Sequence, residues 1–138
     1  MAAARQFMND KLESISSTEP VDVAAQRMRD ADVGALLVTD PAGMLTGVIT
    51  DRDIVTGCIA EGHDPAKCPV SSLADHPPVT VDAEADLGEI LKTMGRSRVR
   101  RVPVTDGGRL VGVIGVSDLM KAATPDEISS LVGRLVHK

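Results

Sequence analysis

Apolar positions follow the same rhythm twice along this chain. Val21, Ala24, Ala25 and Met28 fall at i, i+3, i+4 and i+7, the spacing of one helix face. Leu87, Ile90, Leu91 and Met94 repeat that spacing. Each predicted helix is followed by a short apolar run, Ala35–Thr39 or Arg101–Thr105, which reads as a buried strand. A turn comes next, Asp40-Pro-Ala-Gly43 or Asp106-Gly-Gly108, carrying the residue types that tight turns favour. A second strand, Met44–Ile49 or Arg109–Ile114, completes a hairpin, and a further helix follows over Asp51–Glu61 or Ser117–Ala123. With a short leading strand near Ile15 and Val81, each half reads β-α-β-β-α.

The repetition is literal as well as periodic. Val33-Gly-Ala-Leu-Leu-Val-Thr-Asp40 matches Val99-Arg-Arg-Val-Pro-Val-Thr-Asp106, an offset of 66 from Asp40 to Asp106. Gly47-Val-Ile-Thr-Asp-Arg-Asp53 matches Gly112-Val-Ile-Gly-Val-Ser-Asp118, an offset of 65 from Asp53 to Asp118. Two copies of one small unit usually bury themselves against each other, and the seam is the natural place for a ligand. The expected organisation is unit 1 over 8–62, a Pro-rich connector over 63–78, unit 2 over 79–123 and a C-terminal helix over 124–138. An N-terminal helix over Ala2–Met8 opens the first copy. Thr124, Pro125 and Glu127 form a capping box for the last helix, with Ile128, Leu131, Val132 and Leu135 as its apolar stripe, packed on its own unit or used in a dimer.

Composition narrows the function. The chain has 138 residues, 43% of them apolar, enough for a core without disulfides or metals. Phe7 is the single aromatic, which argues against the stacking platforms of single-strand nucleic-acid binders. A net charge of −5 argues against non-specific DNA binding. No apolar run reaches the roughly 18 residues of a membrane span, and the N-terminus lacks a signal-peptide pattern. The expected location is cytoplasmic, with Cys58 and Cys68 reduced.

The order of elements, the duplication and the Gly47–Asp53 motif resemble the CBS-domain pair, or Bateman module, across nearly the whole chain. The resemblance implies an α+β fold of two tandem CBS units packed with pseudo-two-fold symmetry through their sheets. It also implies a regulatory module, often a homodimer, that binds AMP, ADP or ATP, or else S-adenosylmethionine or NAD, in clefts between the units. Thr50 and Asp53 match the family's ribose- and phosphate-binding positions. Chemically, a carboxylate can accept from both hydroxyls of a ribose, and a helix start favours an anion. Thr50-x-x-Asp53 is equally a capping pair, and the two roles are compatible.

The two copies are not equivalent. Asp118 is retained, but Gly115 stands where Thr or Ser is expected, so Ser117 is the expected cap of a later-starting helix. Conversely, Arg100 and Arg101 occupy the helix-to-strand junction where the first copy has Gly34 and Ala35. Arginine pairs phosphate oxygens two at a time; for Arg96 and Arg98, the complement of a helix dipole is the simpler role. The family pattern then puts Thr50 and Asp53 with Val99, Arg100 and Arg101, floored by Val79–Val81, in one competent site. It puts Asp118 with Gly115, Gly34 and Ala35 in a weak or empty one.

Other chemistry has thinner support. Cys58, His63 and Cys68, with His76 nearby, have no zinc-finger spacing, and no metal is expected. No catalytic triad or acid–base pair is recognisable, so the chain is not expected to be an enzyme. The alternative to a nucleotide sensor is a dimeric interaction module of a stress response, with an unidentified protein target and no nucleotide.

Overall fold

The computed structural model describes residues 2–74, 76–121, 124–127, 129 and 133. They divide into two compact units: Glu13–Pro78, and Met1–Leu12 together with the chain from Val79 onward. Each unit has its own three-stranded sheet and its own core.

In the first unit β1 (Ser14–Ser16) runs parallel to β2 (Ala35–Thr39), which pairs antiparallel with β3 (Leu45–Thr50). Helix α2 (Val21–Ala31) makes the crossover from β1 to β2, as a parallel pair requires. Val21, Ala24 and Met28 are buried as the periodicity predicts, whereas Ala25 is exposed. Their neighbours in this core include Ile15, Leu36, Val38 and Ile49. Helix α3 (Asp51–Ile54) continues directly into a π-helical turn, Val55–Ile59.

The second unit repeats the plan. Strand β4 (Val81–Asp82) is parallel to β5 (Arg101–Asp106), and β5 pairs antiparallel with β6 (Arg109–Gly115). Helix α4 (Leu87–Ser97) crosses between β4 and β5, and α5 (Val116–Leu119) follows β6. Ile90 and Met94 are fully buried with Val102, Val104 and Ile114. The registers even share an irregularity, between Val38 and Thr39 and between Val104 and Thr105. Proline is unusual in a central strand because it lacks a donor. Here β4 reaches only Val104 and Thr105, so Pro103 sits past its end.

The leading segments exchange units, which the linear reading did not foresee. Helix α1 (Ala4–Phe7) precedes the first copy yet belongs to the second unit. The Ala4 and Arg5 amides donate to the carbonyls of Ala85 (2.8 Å) and Ala83 (2.9 Å). Asn9 exchanges both backbone hydrogen bonds with Val113. The 3₁₀ turn Val70–Ser72 precedes the second copy yet belongs to the first unit, with the Val70 amide donating to the Glu19 carbonyl at 2.8 Å. The unit expected to start at Met8 starts at Glu13 in the structure, and the whole of the expected connector, 63–78, falls within it. The physical reason is burial: Ala4 and Val70 are each fully buried in the unit they join. At the C-terminus the capping box forms. The Thr124 amide donates to Glu127 Oε1 at 2.9 Å, and the Glu127 amide donates to Thr124 Oγ1 at 3.2 Å. These bonds hold the Glu127 carboxyl below its usual range. The apolar stripe expected beyond it lies outside the described residues.

Candidate functional site

The candidate site in each unit is the corner where a strand ends and a short helix begins. In the first unit β3 ends at Thr50, whose extended backbone makes it the N-cap of α3. The Asp53 amide donates to Thr50 Oγ1 at 3.1 Å, and the Thr50 amide donates to Asp53 Oδ2 at 2.9 Å. The capping role is thus realised in full. It fixes the Asp53 side chain and occupies one of its two oxygens. Both residues are half-buried. Asp51 takes part in the same corner: its amide donates to the Gly34 carbonyl at 2.9 Å, and a Cβ on Gly34 would lie 3.3 Å from its Oδ2.

In the second unit the corner keeps the backbone and changes the side chains. Gly115 caps α5 with a similarly extended backbone, so the helix starts at Val116. The expectation that Ser117 caps a later helix is corrected. Asp118 still supplies its half of the box, its Oδ2 accepting from the Gly115 amide at 2.8 Å. The same oxygen accepts from Asn9 Nδ2 at 3.1 Å. Asn9 was invisible to sequence reasoning. It lies outside both motifs and 109 residues from Asp118, and no periodicity joins them.

The corners also differ across the sheet. Thr50 is the cross-strand partner of Ala35, and Gly115 of Arg101. A Cβ on Gly115 would stand 3.7 Å from Arg101 Cγ and 3.6 Å from Asp118 Oδ2. A large residue opposite a small one appears in both corners, with the strands swapped. Arg100 and Arg101 are exposed, and Val99 is half-buried. Val79 is 45% exposed, but Val81 is 4% exposed and belongs to the second core. The Val81 side chain is therefore committed to packing, and only its backbone is available to a ligand. Within the units the structure brings Thr50 to Asp53 and Arg101 to Gly115.

The cysteine segment forms a separate feature of the first unit. A cavity of about 460 Å³ is lined by His63, Asp64, Lys67, Cys68, Ser72 and Leu73, among others. Cys58 is fully buried, and burial, with Cys68 as a secondary influence, pushes its thiol up. Among the described residues no group of three or more His, Cys, Asp or Glu side chains is placed to hold a metal ion. Nor is any helix among them long and apolar enough to cross a membrane.

Comparison with known proteins identifies the architecture. The family model "CBS domain" matches residues 4–59 and 70–124. Its two matches begin at α1 and at the 3₁₀ turn, the two segments that exchange units. The chain is 39% identical to Hypoxic response protein 1 of Mycobacterium tuberculosis over 121 residues, 88% of this chain and 85% of that one. It is 33% identical to the uncharacterised protein YlbB of Bacillus subtilis, over 92% of this chain and 86% of that one. Among solved structures it resembles Hypoxic Response Protein I with two coordinated zinc ions. The TM-score is 0.72 at 37% identity, covering 89% of this chain and 100% of that one. It also shares the fold of CBSX2, solved in complex with AMP, with a TM-score of 0.69 at 23% identity, over 88% of this chain and 96% of that one.

Proposed function

The chain belongs to the CBS-domain family, and on that premise we propose that this regulatory module binds adenosine-containing ligands of the AMP, ADP and ATP class through Thr50 and Asp53. The carrying observation is the state of Asp53. The capping box holds its carboxylate in place and takes only one hydrogen bond on Oδ2. Acceptor capacity remains on both oxygens for the two hydroxyls of a ribose. Arg100 and Arg101, exposed on the second unit, are the candidates for the phosphate; Val79 and Val99 are candidates for apolar contact. A ligand can shift the module between arrangements only by its differential affinity for them.

Calorimetry and thermal shift with AMP, ADP, ATP, S-adenosylmethionine and NAD test the reading. A ligand at 100 times its dissociation constant stabilises the folded chain by about 2.7 kcal/mol. Asp53→Asn keeps an acceptor for the cap and removes the charge, so it abolishes binding without unfolding the corner. Equal losses from Asp53→Asn and Asp118→Asn overturn the one-site version.

A second reading has its own observation. Val55, Ile59 and Met120 are 57%, 53% and 63% exposed. Val55 and Met120 occupy matching positions of the two copies. Association, either as a homodimer or with a protein target, would cover these exposed side chains. Loss of self-association in Val55→Glu and Met120→Glu, with no thermal shift from any nucleotide, would favour this reading.

A further inference from the structure

The two corner acids differ more sharply in the hydrogen bonds they already accept than in the hydroxyl that Gly115 lacks. A carboxylate oxygen offers about two lone-pair positions. Asp118 Oδ2 already accepts two donors, the Gly115 amide at 2.8 Å and Asn9 Nδ2 at 3.1 Å. Among the described residues Asp53 Oδ2 accepts one, from Thr50. A vicinal diol gripped by one carboxylate places a hydroxyl on each oxygen. Asp53 has room for that arrangement, and Asp118 does not.

Asn9 is held where it can do this. Its amide donates to the Val113 carbonyl at 2.9 Å and its carbonyl accepts from the Val113 amide at 3.0 Å. Met8 covers Gly112 so closely that a Cβ there would meet its sulfur. Ala4 is fully buried one turn earlier. The segment therefore delivers the Asn9 side chain from a fixed backbone. In the other copy Ala74 lies against Gly47 as Met8 lies against Gly112.

We propose that Asn9 is a specificity-determining residue that closes Asp118 to ribose hydroxyls, so that the N-terminal segment of the chain selects which of its two acids takes the ligand. The inference rests on the nucleotide reading above. Its test is AMP titration calorimetry of the full chain. The wild type binds one AMP per chain and Asp53→Asn none. Asn9→Ala binds a second AMP, more weakly because Gly115 offers no hydroxyl, and Asn9→Ala/Asp53→Asn retains only that second event. If the wild type binds one AMP and the double variant none, the proposal falls and the nucleotide reading stands. Absence of binding by the wild type and by Asn9→Ala overturns both. Far-UV circular dichroism melts establish that each variant is folded. Asn9→Ser, shorter and out of reach of Asp118, gives the same gain from a polar side chain.

Discussion

Gly47 faces the backbone carbonyl of Ala74 with no room for a side chain: a Cβ at 47 would meet that oxygen. Gly112, its counterpart in the second unit, faces the side chain of Met8 instead. Glycine is required at both positions by close approach, but the obstacle is rigid in one unit and partly adjustable in the other.

Gly47→Ala is therefore the more damaging of the paired substitutions. Overpacking typically costs 1–3 kcal/mol, and Gly47→Ala belongs at the upper end because a backbone must move. Gly112→Ala costs less, since Met8 can take another rotamer. Urea denaturation of the two variants checks the order; equal costs would refute the distinction.

The Thr50 cap predicts a graded series. Replacing a capping hydroxyl by Ala costs about 0.5–2 kcal/mol, and replacing it by Gly costs only a few tenths. Thr50→Gly, which copies Gly115, is therefore closer to wild type in stability than Thr50→Ala. Thermal melts without ligand measure this.

Arg98 and Asp32 end the two crossover helices in the left-handed region, with φ of 54° and 56°. Asp tolerates that conformation better than Arg. Arg98→Gly relieves strain of about 1 kcal/mol, partly offset by the greater freedom of glycine in the unfolded chain. A net gain of about 0.5 kcal/mol is expected at position 98, and a smaller or opposite change for Asp32→Gly. Denaturant midpoints with unchanged slopes would establish the difference.

Cys58 gives a pH dependence. Its thiol is raised in the folded chain, so above the ordinary thiol range near 8.5 the unfolded chain has lost a proton that the folded chain keeps. The resulting stability is complete below that range and is lost as pH rises through the folded value. Stability measured at pH 9.5 is lower than at pH 7.5, and Cys58→Ala flattens the slope. At pH 8 a thiol reagent labels the half-buried Cys68 before the fully buried Cys58.

The amino-acid sequence by itself determined the elements and their duplication. Helical spacing at Val21–Met28 and Leu87–Met94, turn residues at Asp40 and Asp106, and the glycines before Thr50 and Gly115 are local signals, and local physics reads them. It also determined the Thr50–Asp53 pair, because a cap reaches only three residues along the chain. The tertiary structure decided what depends on distant segments. It assigned α1 to the second unit and the 3₁₀ turn to the first, through burial of Ala4 and Val70 that no periodicity announces. It withdrew Val81 into the core. It set Arg101 opposite Gly115 and brought Asn9 to Asp118, contacts fixed by strand register and by the return of the N-terminal segment. A hydrogen bond across that separation leaves no pattern in the chain; it exists only once the backbone has folded around it.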